Sequence, residues 1–573
     1  MNQDVEEDVK SGASQTSVNS NHKNEMISLN IDDADADAAS MDDASSSKGV
    51  RDNSEDVARG SSEEDENENE KEDTPLNVEV GASNDATSTT KRGHANSDNA
   101  AGGGCEDVNH ENPMYTSMEH LKHIASLTGP IIVAEFFQST LPIVDVAFLG
   151  RMTSKEEFAS AALATVWFNL WNSSMLGFLT AIDTLLAQSF GAKDFETFTT
   201  WGGNSIVIVS MVTILVVGLV ALCDPAMVAF GQDPVTSAAA GQFAYRLLPG
   251  LLPYYLFKVL VKHLQAQNIL TPGVLIGLVA NLFNLFGNWL FISYFQWGLN
   301  GAPIATTVTR VIEFVMIVSY FFWNKSTLLS ETWPSFAMKN LRCEVVMIFL
   351  NLGVVSALSF TAEAWSFQIT TILAGLLGTV PLNAHTITFS IGTFIYLSFS
   401  FAIGIATSIR VGLLIGEGNS ADAKRSYIVS FLLTFVVQGV LIMILLLAND
   451  ELGELFSSDD EVSHLVAQLI PLMVIFMLGD AVQSNTGGVL RGLGRQKLLF
   501  ILNIIGFWIL ALPSGALLTF VADIGVRGLW WGMAIGIYTS SVLGILLLRF
   551  YINWKSEANL AKERIALAHQ HES

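Results

Sequence analysis

Three carboxylates stand in otherwise apolar surroundings, and each is placed to hold a cation rather than to break a bond. Glu363 lies in 356-SALSFTAEAWSFQITTIL-373, with no basic residue within a dozen positions on either side. Ser356, Ser359, Glu363, Ser366 and Thr370 recur at steps of 3, 4, 3 and 4, one polar stripe on a helix, expected to line a path. Asp480 shares a second face with Gln483, Ser484 and Gly487. Asp145 has Gln138 and Pro142 on its own side, and Asn281, Asn284 and Asn288 offer it neutral neighbours from another segment. A carboxylate at mid-membrane costs about 2.5–3.5 kcal/mol on insertion scales, so such groups are rare and usually face a cavity. Burial there lets protonation compete with cation binding near neutral pH. The chemistry expected is exchange of a proton for a positively charged solute. Around these acids, His385 in 381-PLNAHTITFS-390 either tunes a proton site or simply packs, and Trp365 could stack a planar cation. Asp183 reads as structural or gating, while Trp167 and Phe367 are two aromatics among many.

The elements that must position them are membrane helices. Apolar segments near 20 residues, each able to cross about 30 Å of hydrocarbon, fall at 124–149, 160–188, 202–223, 238–258, 272–294, 302–323, 345–374, 380–409, 426–448, 463–489, 497–520 and 528–551. Twelve spans put seventeen Lys and Arg on the side of the termini, Arg491 among them, and only Arg151, Lys155 and Arg527 on the other. That bias predicts both termini in the cytoplasm. Arg246 and Arg310 remain inside spans, and Arg310 is expected to pair with Glu313. Pro142 should free a carbonyl one turn back and kink the first helix.

Composition separates this core from the first hundred residues. The chain has 573 residues and a net charge of −25, but residues 1–113 hold 28 Asp or Glu against 8 Lys or Arg. This Ser-, Asn- and Asp-rich segment cannot bury enough apolar surface to offset chain entropy, so 1–117 is expected to be a disordered cytosolic tail, with 60-GSSEEDENENE-70 a possible phosphorylation stretch. It has no apolar run of the kind a signal peptide needs. Three scattered cysteines, Cys105, Cys223 and Cys343, make no disulfide or metal pattern, and no zinc pair, P-loop or nucleophile elbow is present. No cofactor, metal or nucleic-acid partner is expected, and the chain is read as a monomer in the bilayer. A membrane acyltransferase would need partners for His385 that the sequence does not supply.

The two halves repeat. The stretch 181-AIDTLLAQSFGAK-193 aligns with 406-ATSIRVGLLIGEG-418 at an offset of 225, 264-LQAQNILTPG-273 with 490-LRGLGRQKLL-499 at 226, and Gly301 with Gly528 at 227. Six helices between copies keep the copies parallel, an arrangement that encloses a central cavity opened alternately to each side. The fold expected is an all-α polytopic membrane protein of two pseudo-symmetric six-helix bundles, 118–323 and 345–552, joined by a linker at 324–344 and followed by a cytosolic tail at 553–573.

The motifs are also specific. The runs 145-DVAFLGRM-152, 244-AYRLLPGLLPYYLFKVLVKHLQAQ-267, 407-TSIRVGLLIGEGNSADAKR-425 and 479-GDAVQSNTGGVLRGLGRQK-497 resemble the multidrug and toxic compound extrusion (MATE) family, eukaryotic type, over roughly 118–552. The resemblance implies secondary active efflux of organic cations in exchange for H+, less readily Na+, and an acidic coupling residue at Glu363. It implies that Asp145 matches an aspartate that titrates or binds Na+ in prokaryotic relatives. Departures are Gln368 where a second glutamate is usual, Leu413 after Arg410-Val411-Gly412, Asn288 where an aspartate often stands, and His385 in place of glutamine. Some relatives carry organic anions or act as flippases, with cavities lined by cationic residues, and these remain alternatives.

Overall fold

The computed structural model describes residues 115–324, 326–335, 341–457 and 459–569. The expectations for the acidic tail up to residue 114 and for residues 60–70 lie outside them. Twelve long helices follow in order: α1 Ser117–Met152, α2 Lys155–Gly191, α3 Phe195–Ala221, α4 Pro234–Ala266, α5 Thr271–Tyr294, α6 Gly301–Trp323, α7 Cys343–Gly375, α8 Thr379–Gly416, α9 Ser420–Leu447, α10 Asp460–Gly492, α11 Gln496–Val521 and α12 Val526–Tyr551. Ten of them are apolar enough to cross a membrane by composition alone; α2 and α4 are as long but more polar. Pro142 lies within α1 without ending it.

Local chemistry starts these helices where the chain changes direction. Thr116 with Glu119 and Ser154 with Glu157 form reciprocal capping boxes at α1 and α2. Asp233 caps α4 just before Pro234 at its first position, and the backbone and hydroxyl of Thr236 hold its carboxyl below the usual range.

The two halves pack by one plan. In the first, α4 lies against α2 and α6, and α5 against α1 and α6; in the second, α10 lies against α8 and α12, and α11 against α7 and α12. The tightest loops repeat as well. Left-handed backbone occurs at Lys193 and Gly418, Asn268 and Gly494, Gln296 and Asp523, and Gly298 and Gly525, each pair at the offset read from the sequence. Asp194 and Asn419, another such pair, cap α3 and α9.

Across the halves, α2 packs on α7 and α8, and α1 on α8 and α9. Near the loops after α2 and α8 this contact is symmetric. A side-chain carbon on Gly191 would land on the Leu413 carbonyl, and one on its repeat partner Gly416 on the Gln188 carbonyl. Thr184 donates to the Arg491 carbonyl at 2.6 Å and Gln188 to that of Gly492 at 2.9 Å. This face also carries the start of α1, where His120 meets Asp422 at 3.1 Å.

The segment read as a C-terminal tail is a helix, α13 Trp554–His569. It crosses beneath both halves at that same face. Trp554, Ala558 and Ala561 join a core cluster with Val411 and Leu414, while Ala568 joins the core of the first half. Glu557 accepts hydrogen bonds from Arg495 at 2.8, 2.9 and 3.0 Å. Arg564 donates to Gln188 at 3.0 Å in one half and to the Leu493 carbonyl at 3.2 Å in the other. The linker, too, has structure: Thr327–Glu331 is a short helix, and the Ser335 amide donates to the Thr199 carbonyl.

Candidate functional site

Glu363 and Asp480, 117 positions apart in the sequence, line one cavity in the second half. Its walls come from Phe360 and Glu363 on α7, Tyr396 on α8, Asp480, Gln483, Ser484, Gly487 and Arg491 on α10, and Leu499 and Asn503 on α11. Tyr396 begins a π-helical segment, Tyr396–Ser400, at which α8 changes pitch. Such segments redirect side chains and recur at functional sites. Ser484 ties it down by donating to the Ser400 carbonyl at 2.9 Å.

Asn503 organises the polar wall. Its amide nitrogen donates to Ser359 Oγ at 3.0 Å and to Glu363 Oε2 at 3.2 Å, and its oxygen accepts from Gln483 at 2.8 Å. Arg491 is buried, its guanidinium 5.8 Å from the centre of the Phe401 ring, with two nitrogens that find no protein partner. Gly487 leaves it room, since a Cβ there would sit 3.2 Å from Arg491 Nη1. With both acids ionised, the cavity holds two negative charges against one positive. An uncompensated buried charge is costly, so the site favours taking up one further positive charge, a proton or a cation. The space, about 20 Å³ for water-sized occupants, fits about one water and no organic solute in this conformation.

Several expected neighbours are elsewhere. Of the serine and threonine stripe only Ser359 reaches the cavity wall, through Asn503; Ser366 donates to the Glu363 carbonyl at 2.7 Å and Thr370 to the Ser366 carbonyl at 2.9 Å. Both are buried against the helix itself. His385 is packed against Phe389 and Trp530 and meets Thr371 Oγ1 at 3.2 Å, a packing histidine outside the cavity lining. Trp365 is exposed on the outer surface, and Gln368 is outside the lining. Phe367 sits in an aromatic cluster with Phe389, Phe476 and Phe507, and Trp167 donates to the Leu219 carbonyl at 3.0 Å. Conversely, Arg491, Asn503 and Tyr396 were not singled out. Arg491 was readable: Asp480, Ser484, Gly487 and Arg491 continue one face at steps of 4, 3 and 4.

In the first half, Asp145 accepts from Asn288 at 2.7 Å, Asn284 at 3.1 Å and Thr306 at 2.5 Å. Asn281 bonds instead to Thr140 and to the Phe137 carbonyl, one turn away. Gln138 does not join Asp145; it donates to Glu313 at 2.5 Å. The expected Arg310–Glu313 pair is not formed. Arg310 lies over the rings of Phe168 and Tyr254, at 5.0 and 4.8 Å, where two aromatic faces offer the cation a less costly seat. Arg246 donates back to the Gln242 carbonyl on its own helix.

Asp183 is held by Lys262 at 2.6 and 2.7 Å, both largely buried, as a structural role requires. Replacing Lys262 with methionine should leave the carboxylate unpaired and cost about 3–5 kcal/mol. A large fall in thermal midpoint in detergent would register it, and Lys262→Met melting with the parent would contradict it.

A family model described as MatE matches residues 130–290 and again 356–517, two copies spaced as the repeat requires. Multidrug and toxin extrusion protein 2 of Oryctolagus cuniculus is 32% identical over 77% of this chain and 72% of its own length. Multidrug and toxin extrusion protein 1 of Rattus norvegicus is 30% identical over 76% of each. The crystal structure of the eukaryotic MATE transporter AtDTX14 superposes with a TM-score of 0.73 at 26% identity, covering 78% of this chain and 99% of that one. The chain is therefore a multi-pass membrane transporter that belongs to the MatE family of multidrug and toxin extrusion proteins.

Proposed function

We propose that this transporter exports organic cations in exchange for protons by alternating access, with Glu363 as principal coupling carboxylate and Asp480 beside it. The observation that carries the reading is the enclosure of both acids with a single guanidinium, Arg491, in one cavity. Such a site trades one positive charge for another. Release of a proton to one side makes room for a cation, and reprotonation expels it. Exchange of one proton for one monovalent cation is electroneutral, so it sustains about a ten-fold gradient per pH unit. The face closed by Gly191 and Gly416 is taken as cytoplasmic on the distribution of basic residues, which makes this the outward-directed half of the cycle. On this reading the residues before α1 lie in the cytosol, the membrane is the plasma membrane or that of a vacuole-like organelle, and the carrier works as a monomer with no cofactor beyond its coupling ion.

Sodium coupling is the second reading, and Asp145 favours it. Asn284, Asn288 and Thr306 gather on its carboxylate through two amide nitrogens and a hydroxyl, and turning the two amides over would offer their oxygens to a hard monovalent cation beside the carboxylate. Purified protein in liposomes loaded with a fluorescent organic cation separates the two. Flux driven by an imposed pH gradient supports proton exchange. Flux driven by sodium alone moves the coupling site to Asp145, and no flux under either gradient overturns cation export in favour of anionic metabolites or lipids.

A further inference from the structure

Two turns along α1 and α6 from Asp145 lies a second ionisable cluster that the exchange cycle above does not use. Glu313 on α6 is fully buried. Its Oε1 accepts from Gln138 of α1 at 2.5 Å, whereas Oε2 is shielded and has no hydrogen-bond partner. The charges facing it are Lys258 of α4, Glu135 of α1 and Arg310 one turn back on α6. Lys258 and Glu135 engage each other at 3.6 Å, and Arg310 engages the rings of Phe168 and Tyr254.

The charge count decides what this cluster must do. Glu135, Glu313 and Asp145 supply three carboxylates, and Lys258 and Arg310 two cations, so with every group ionised this cluster, taken with Asp145, holds one uncompensated negative charge. A lone buried charge is neutralised by a proton or a counterion. Asp145 has both oxygens occupied by donors from Asn284, Asn288 and Thr306. Glu135 has the Lys258 ammonium. Glu313 alone keeps an unpartnered, shielded oxygen.

We propose that Glu313 is a second proton-carrying carboxylate, in the first half, held in place by Gln138 and released through the Glu135–Lys258 pair. The placement supports that direction. Lys258 and Lys262 are one turn apart on α4, each with an acid, Glu135 and Asp183, and Asp183 stands near the end of α2 at the Gly191 face. Glu313 thus lies between the Asp145 site and a stepped row of ionisable groups leading to that face. A carrier with exchangeable protons in both halves moves two protons per monovalent cation and regains the use of the membrane potential.

This inference rests on the proton-exchange reading for its transport arm but not for its spectroscopic one. The first measurement is the infrared difference spectrum of purified protein, wild type against Glu313→Gln and against Asp145→Asn. A protonated-carboxyl band at neutral pH lost in Glu313→Gln and kept in Asp145→Asn is expected. A band unchanged by Glu313→Gln, or lost only in Asp145→Asn, overturns the assignment whether or not any flux is seen. The second is steady-state accumulation of the fluorescent cation across set pH gradients in liposomes. Removal of one coupled proton should lower accumulation about ten-fold per pH unit, with flux direction retained. Unchanged accumulation in a folded Glu313→Gln protein excludes a coupling role. Glutamine keeps an oxygen for Gln138, and a melting curve matching the parent confirms that the effect is not unfolding.

Discussion

A Glu363→Gln protein is expected to fold and insert normally while losing pH-driven cation accumulation altogether, a fall of about ten-fold for each pH unit imposed in one-for-one exchange. The two halves of that expectation have separate causes. Glutamine still offers Asn503 an oxygen where Glu363 Oε2 now accepts its amide at 3.2 Å, so the wall of the cavity keeps its shape. It also leaves Asp480 and Arg491 as one negative and one positive charge, a balanced pair in place of an unbalanced trio. Functional sites are held in such unbalanced states at some cost in stability, so the variant should melt at or above the parent's temperature. Removing Arg491 would do the reverse, leaving two carboxylates together in a low dielectric. The test is liposome flux and a melting curve on the same preparation. A Glu363→Gln protein that still accumulates the cation down a pH gradient would remove this residue from coupling.

Gly191→Leu and Gly416→Leu should each disable transport and leave the lobes apart at the face that carries α13. Each glycine lies where the opposing helix presents a backbone carbonyl, that of Leu413 or of Gln188, and backbone cannot turn aside as a side chain can. Overpacking of this kind costs about 1–3 kcal/mol where the structure absorbs it. Two rigid bundles can instead relieve it by separating, and about 1.4 kcal/mol already shifts a two-state equilibrium ten-fold. Ala187, buried and touching the position a side chain would take on Gly412, is the reporter. A cysteine placed there in a background lacking Cys105, Cys223 and Cys343 should react with a water-soluble alkylating reagent several-fold faster once either leucine is present. Equal labelling and equal transport in the leucine variants would show that this crossing does not govern opening.

Much of this was visible before any coordinates because hydrocarbon is an unforgiving solvent. An acid without a basic neighbour in a long apolar run is costly to insert, and Glu363, Asp480 and Asp145 stand out for that reason. The duplication was equally plain, since the same tight turns had to be built twice. The stripe drawn through Glu363 was less informative. Hydroxyls on a membrane helix can satisfy themselves on their own carbonyls, as Ser366 and Thr370 do, so a polar face need not meet a cavity. Trp365 is close to Glu363 in sequence, but two residues along a helix turn a side chain to the far side. Tyr396 was hidden because a π-helical segment breaks the period on which face assignments depend. Arg491 hides among the loop cations because it stands near the end of α10, and Asn503 and Thr306 go unnoticed because single polar residues on helices distant in sequence announce no partner.

The last helix gives the transporter a handle at the face where its two halves meet. One guanidinium, that of Arg564, clasps both halves through Gln188 and Leu493, so the face beneath them cannot part without α13 letting go of at least one side. Its release therefore belongs to the opening equilibrium itself. A protein or lipid surface that prefers the loosened helix would pull the transporter open by the ratio of its two affinities, and one that prefers the clasped form would hold it shut. The pace of transport could then be set from that face, with the residues of the cavity untouched.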